Sequence, residues 1–213
     1  MTVLITGANR GIGAGLADAC RARGAQVVAA ARSGTDTPLD VSDPASIRAL
    51  ADGLAGRAID LLVCNAGIYR DKDMDLAAGY DAATWAETFA VNVTGVFLTV
   101  QAFLPHLDLS AAPKIAIISS QMGSSARAKG GSYIYRASKA AATNLGTNLA
   151  MDLAPRGIAV GIYHPGWVRT DMGGAGADIS LEESVAGLMD RFDALSVATT
   201  GAFLTWDGRP HPY

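Results

Sequence analysis

The sequence predicts a single-domain α/β fold over residues 1–213: a doubly wound, seven-stranded, mostly parallel sheet covered by helices. Three observations carry this. Apolar runs of strand length alternate with helical stretches, the order that builds right-handed strand–helix–strand units. Most of the strand runs are continuously hydrophobic, as in strands buried on both faces. No linker, repeat or shift in composition marks a second domain, and a chain of 213 residues buries about 70% of its unfolded surface unaided.

Each element has its own signal. Thr2–Ile5 is apolar and β-branched and reads as strand 1, ended by Thr6-Gly7. Ile12–Arg23 has helical spacing at Ile12, Leu16, Ala19 and Cys20, with Gly24 placed to cap its end. Gln26–Ala31 is strand 2 and Pro38–Val41 a weak strand 3. Seven residues separate Arg32 from Asp40, too few for the dozen or so that a crossover helix needs, so the helix after strand 2 is missing. Ser42 or Asp43 then caps a helix with Pro44 in its first turn, running to about Leu54. Asp60–Asn65 is strand 4, Ala83–Leu107 a long helix and Lys114–Ser119 strand 5. Ser132–Ala154 is a second long helix, closed by Pro155 and Gly157 before strand 6 at Ile158–His164. Ser180 opens a helix over Leu181–Ala194, with Glu182 and Glu183 where they favour the helix dipole. Gly201–Trp206 is strand 7.

Composition narrows the function classes. Half of the residues are hydrophobic, only 17% are charged and mean hydropathy is +0.23, which excludes a disordered chain. Gly (24) and Ala (40) fill nearly a third of the chain, which suits close helix–sheet packing and glycine-dependent loops. A net charge of −3 disfavours a nucleic-acid partner. No run of 18 apolar residues suggests a membrane span. Cys20 and Cys64 lack metal spacing and are expected to be buried free thiols. His106, His164 and His211 share no ligand spacing, so no metal is expected. The N-terminus lacks the pattern of a signal peptide, and a cytoplasmic location is expected.

Ligands of such folds sit at the carboxyl ends of the strands. The loop after strand 1 reads Thr6-Gly7-Ala8-Asn9-Arg10-Gly11-Ile12-Gly13. Its G-x-x-x-G-x-G spacing differs from the G-x-G-x-x-G fingerprint, but the physics is shared. Absent Cβ atoms let backbone approach a pyrophosphate, and a helix N-terminus offers free N–H groups.

This loop, followed in order by Asp40-Val41, Asn65-Ala66-Gly67, Asn92-Val93-Thr94-Gly95, Ser120, Tyr135-x-x-x-Lys139 and Pro165-Gly166, resembles the short-chain dehydrogenase/reductase family. The resemblance spans about Val3 to Gly208. It implies a Rossmann fold that binds NAD(P) through Gly7, Asn9, Arg10, Gly11, Ile12, Gly13, Asp40, Val41, Asn65, Ala66, Gly67, Pro165, Gly166, Val168 and Thr170. The segments Gly130–Lys139 and His164–Met172 further resemble the short carbonyl reductases of the C-signal/sniffer-like group.

Charge argues for NADP(H) over NAD(H). An acid at the end of strand 2 would accept the NAD ribose hydroxyl and repel a 2′-phosphate. Strand 2 instead ends Ala29-Ala30-Ala31-Arg32, and Arg32 pairs well with a phosphate. Arg10 is the second cation that the resemblance implies.

Tyr135 and Lys139 lie four residues apart, about 400° of helix, hence on one face. Tyr133 points roughly 240° away. Lys139 is therefore expected to lower the Tyr135 pKa, with an oxidised nicotinamide ring assisting. Tyr135 then acts as general acid or base, and Ser120 hydrogen-bonds the same substrate oxygen. The resemblance assigns Asn92 a water relay to Lys139. Ser120 stands fifteen residues before Tyr135, two more than the family commonly has; Ser119, Ser124 and Ser125 compete with it, and Met122 occupies the usual position.

Tyr69, Gln121, Met122, Trp167 and Met172, with Ile68, follow strand ends and are expected to line a substrate pocket. Asp71, Lys72, Asp73 and Asp75 read most simply as a solvated charge run, with a place at the rim of the pocket as the alternative. The expected activity is NADP(H)-dependent hydride transfer on a small carbonyl or alcohol. The alternative is a non-catalytic NADP(H)-binding sensor or signalling protein, against which stands the retention of Tyr135, Lys139, Ser120 and Asn92. An epimerase or dehydratase would usually need a larger C-terminal domain. The resemblance also implies a homodimer or homotetramer through the two long helices.

Overall fold

The computed structural model describes residues 1–213 as one seven-stranded sheet with strand order β3-β2-β1-β4-β5-β6-β7. Every strand pair is parallel. The strands are β1 (Thr2–Thr6), β2 (Gln26–Ala31), β3 (Thr37–Pro38), β4 (Leu61–Cys64), β5 (Lys114–Ile118), β6 (Ala159–His164) and β7 (Phe203–Thr205). The helices are α1 (Gly11–Ala22), α2 (Pro44–Gly53), α3 (Ala82–Phe89), α4 (Gly95–Leu107), α5 (Tyr133–Leu153) and α6 (Leu181–Ala194).

Alternation along each strand splits the core in two. Leu4, Leu62, Ile115, Ile117 and Val160 face α2, α4 and α5. Val3, Ile5, Val63 and Ala116 face α1 and α6. Both sets need apolar side chains, which is why the strands read as unbroken hydrophobic runs. The chain order reverses between β1 and β4, and the crevice at such a switch point is where the candidate site lies.

Three expected elements differ. The first is β3, which holds only Thr37 and Pro38, paired with Ala30 and Ala31. Asp40 turns the chain by accepting from the Ser42 backbone N–H (2.9 Å) and hydroxyl (2.6 Å), so Asp40 and Val41 lie in a turn, not a strand. Asp43, rather than Ser42, caps α2. The second is the expected helix over 83–107, interrupted by a π-helical turn at Ala90–Thr94. Asn92 sits inside that turn, and its side chain bonds both backbone groups of Ile68 and the Ser138 hydroxyl. These bonds hold the widened turn inward; Gly95 follows it because a Cβ there would meet the Val41 carbonyl oxygen at 2.5 Å. The third is α5, which begins without a local side-chain cap: Ser132 is left-handed (φ 47°). As expected, no helix crosses between β2 and β3.

The stretch 82–107 is long and apolar enough, by length and composition alone, to cross a membrane. Here it lies on the sheet, with Val100, Phe103 and Leu107 fully buried.

Candidate active site

Two clefts meet at the carboxyl ends of the strands. The larger, about 390 Å³, runs over the loop between β1 and α1. Gly7 (φ 66°) leaves no room for a side chain, since a Cβ there would lie 2.8 Å from the Ala66 Cα. A Cβ on Gly13 would lie 2.3 Å from the Gly7 carbonyl oxygen. Asn65 closes the loop by donating to the Thr6 and Gly7 carbonyls at 2.9 and 3.1 Å. Arg10 stands at the N-cap of α1 without a capping side-chain bond, so the first N–H groups of α1 face the cleft unsatisfied. A tight glycine turn with free N–H groups at a positive dipole end fits a pyrophosphate.

Of the residues expected to hold the cofactor, Gly166 and Val168 line the neighbouring chamber instead; all the others line this cleft. Arg32 and Ser33 form its far end with no acid at the end of β2. Arg10 is bonded across the cleft to Asp171 at 2.9 Å. That pair is exposed, so breaking it to meet a phosphate costs at most about 1 kcal/mol. Ser33, Arg169 and Asp171 were not expected here; they follow motif residues by one position, and only the fold turns them inward.

The second cleft, a chamber of about 320 Å³, is lined by Tyr69, Gln121, Met122, Trp167 and Met172, all expected. Ile68 lies in the cofactor cleft instead. Lys72 also lines the chamber, as the alternative reading of its charge run expects, and His164 and Gly173 complete it without having been foreseen. Tyr135 lines both clefts and Ser120 the chamber, so the two hydroxyls stand at the junction.

The one-face geometry of Tyr135 and Lys139 holds: the Lys139 Nζ lies 5.7 Å from the centre of the Tyr135 ring. Tyr133 turns away, exposed and edge-on to Tyr80. The longer Ser120–Tyr135 spacing is taken up by two short 3-10 turns, Gln121–Gly123 and Ser125–Arg127. Ser120 accepts from the Met122 N–H at 3.1 Å, which leaves its own O–H to donate. Ser119, its nearest competitor, is bound to α5 through the Lys139 carbonyl and the Thr143 hydroxyl.

The electrostatics depart from expectation. Burial pushes the Tyr135 phenol up to about 12; Tyr69 and Asp71 add to this, while the Ser120 hydroxyl acts against it. Burial pushes Lys139 down to about 8. The expected activation of Tyr135 by Lys139 is thus outweighed. The reason is burial, and Lys139 is not among the groups that act on the phenol; its ammonium donates to the Ile118 carbonyl at 2.9 Å. Asn92 lines neither cleft and is buried among Ile68 and Ser138.

Asp71 is the main correction. It is not solvated but fully buried. Its carboxylate accepts from the backbone N–H of Ile134 (2.7 Å) and of Tyr135 (3.2 Å), capping α5 from a distant loop. On the same loop the Tyr69 ring stacks on Tyr135 with centroids 4.2 Å apart, and its hydroxyl meets that of Ser132 at 2.5 Å. No local pattern in the sequence marks this cap.

Comparison with known proteins places this geometry. The family model described as short chain dehydrogenase matches residues 1–178. The C-signal of Myxococcus xanthus is 36% identical over 169 residues, covering 78% of this chain and all of that protein. An NADPH-bound carbonyl reductase from chicken fatty liver superposes with a TM-score of 0.91 at 34% identity, covering 100% of this chain and 98% of that one. A Burkholderia multivorans short-chain dehydrogenase/reductase described as putative, with bound NADP, gives 0.88 at 29% identity, covering 100% and 99%.

Proposed function

The chain belongs to the short-chain dehydrogenase family, and from that premise we propose that it is an NADP(H)-dependent reductase of a small carbonyl compound, or the corresponding alcohol dehydrogenase. The observation that carries this reading is the meeting of Tyr135, Ser120 and Lys139 where a phosphate-cradling cleft opens into an apolar chamber. Gly7, Gly11, Gly13 and the start of α1 would hold the pyrophosphate. Asp40 and Val41 would meet the adenine, and Arg32, Ser33 and Arg10 the 2′-phosphate. Asn65, Ala66, Gly67, Pro165 and Thr170 would line the rest of the cofactor.

A nicotinamide held by these residues would supply the hydride for reduction, or receive it in oxidation. Tyr135 is protonated at neutral pH and gives its phenolic proton to the carbonyl oxygen; in the reverse direction it must first give that proton up to neutral Lys139 and, as the phenolate, then takes the alcohol proton. Ser120 donates to the same oxygen and holds the carbonyl in place. Lys139, pushed down to about 8, can exchange a proton near neutrality and passes it towards the Tyr135 side of the site. Asn92 serves by fixing Ile68 beside the cleft; a water relay through it belongs to the same proposal.

The NADP-bound neighbours support the cofactor choice. The absence of an acid at the end of β2 supports it independently. The C-signal likeness by itself decides nothing between enzyme and signal. Two buried free thiols, Cys20 and Cys64, suit a reducing cytoplasm. The test is NADPH and NADH oxidation with a panel of aldehydes, ketones and quinones. Arg32→Ala should weaken NADPH about tenfold or more, as expected for a charge-assisted phosphate bond, and leave NADH nearly unchanged. Equal losses for the two cofactors would remove the NADP assignment.

A further inference from the structure

The substrate chamber has a sign. Lys72 is the only lysine, arginine, aspartate or glutamate that lines it, and no carboxylate pairs with Lys72. At the wall formed by Gln121 and Met122, Arg127 donates to the Gln121 side chain at 3.2 Å and Arg136 to the Met122 carbonyl at 3.5 Å. Gln121 and Met122 are themselves chamber walls, and neither arginine has an acidic partner.

The sequence reinforces this pattern. The protein is acidic, yet no aspartate or glutamate occurs between Asp108 and Asp152, a stretch that carries Lys114, Arg127, Lys129, Arg136 and Lys139. The acids closest to Lys72 in sequence do not enter the chamber. Asp71 is buried under the α5 N–H groups, Asp75 accepts from Ala77 and Ala78, and Asp73 is exposed, outside the chamber lining and unpaired with Lys72. Asp171 lines the other cleft, on Arg10. The rest of the chamber is broad and apolar, with Trp167, Met172, Met122 and the Tyr69 ring as walls.

We propose that the physiological substrate is an anionic carbonyl compound, with an apolar body lying against Trp167 and Met172 and a carboxylate held by Lys72, assisted by Arg127. This rests on the carbonyl-reduction reading above and adds the substrate class to it. Tyr135 and Ser120 take the carbonyl end, which leaves the charged end to reach the chamber's one cation.

The test compares 4-carboxybenzaldehyde with its methyl ester, which keeps the ring and aldehyde and removes the charge. Wild-type kcat/KM should favour the carboxylate by about tenfold, chiefly through KM, for one partly desolvated charge pair. The preference should shrink as salt rises. Lys72→Gln should cut it about fivefold, and Lys72→Gln with Arg127→Gln should bring the two compounds to parity. Equal kcat/KM in the wild type, or a preference that survives the double substitution, would overturn the proposal. If neither aldehyde is reduced, the reading of function falls by itself. Binding of the same two compounds to the cofactor complex, followed by tryptophan fluorescence, then decides the anion site. Tighter carboxylate binding that the double substitution abolishes supports it, and equal binding overturns it.

Discussion

At the scale of single residues, what the sequence revealed was identity and spacing, and what it concealed was hydrogen-bond commitment. Tyr135 and Lys139 were legible because four residues of helix leave no choice of face. Ser120 was legible only as one of several serines, and the fold separates them: Ser119 is bound to α5 and Ser120 is not. Asp71 was misread because a carboxylate in a charge run looks solvated until a distant helix end is found above it. The buried histidines were silent for the same reason. His164 has an unpartnered Nδ1 and stacks edge-on to His211; burial first, then His211 and Arg127, push its pKa down to about 3. Below 6.5 the unfolded chain takes a proton that the folded chain refuses, so stability is full above about pH 6.5 and falls as pH drops towards 3. Urea midpoints should therefore correspond to a loss on the order of 2 kcal/mol between pH 7 and pH 5, and His164→Gln should flatten that slope. An unchanged slope in the variant would place the acid sensitivity elsewhere.

At the scale of elements, the sheet was almost fully readable, because a strand buried on both faces must be apolar throughout. Boundaries failed where a backbone partner decided them: β3 stops where Asp40 forms its turn, and the long helix widens where Asn92 reaches Ile68 and Ser138. A π turn of this kind has no signature in side-chain periodicity. The start of α5 is the clearest case. Gly130, Gly131 and Ser132 are all left-handed, and the capping acid comes from residue 71. Asp71→Ala leaves two buried N–H groups unpaired beside Tyr135 and should cost about 2–4 kcal/mol in urea unfolding. A loss under about 0.5 kcal/mol, the size of an ordinary surface change, would mean that the cap is not holding the helix. The loop that carries Asp71 also carries Tyr69 and Lys72, so one buried carboxylate sets α5 and the chamber wall together.

At the scale of the whole molecule, the short chain keeps the cofactor cleft entire and trims the segments around the substrate. The crossover helix after β2 is absent, and Gly173–Ser180 forms only a brief cover before α6. The family resemblance thus bears on the chemistry of the site more than on the substrate, and the proposal of an anionic substrate arises only when Lys72, Gln121 and Met122 are brought together. α4 and α5 expose Phe97 (41%) and Met151 (73%), and the proposed pairing of two copies through these helices would cover them. Light scattering after gel filtration should show a dimer or tetramer, and Phe97→Glu with Met151→Glu should give monomers. A monomeric wild type would remove the helix-paired assembly. The central claim is that Tyr135 moves the proton in a hydride transfer. It is tested most directly by NADPH oxidation with a reducible carbonyl in Tyr135→Phe, alongside the NADPH dissociation constant. Turnover should fall by about 10²–10⁴, the usual worth of a general acid, with NADPH binding nearly unchanged. A Tyr135→Phe protein that turns over like the wild type would contradict the mechanism. A wild type that binds NADPH and reduces no carbonyl would contradict the enzyme itself and leave a cofactor-binding sensor.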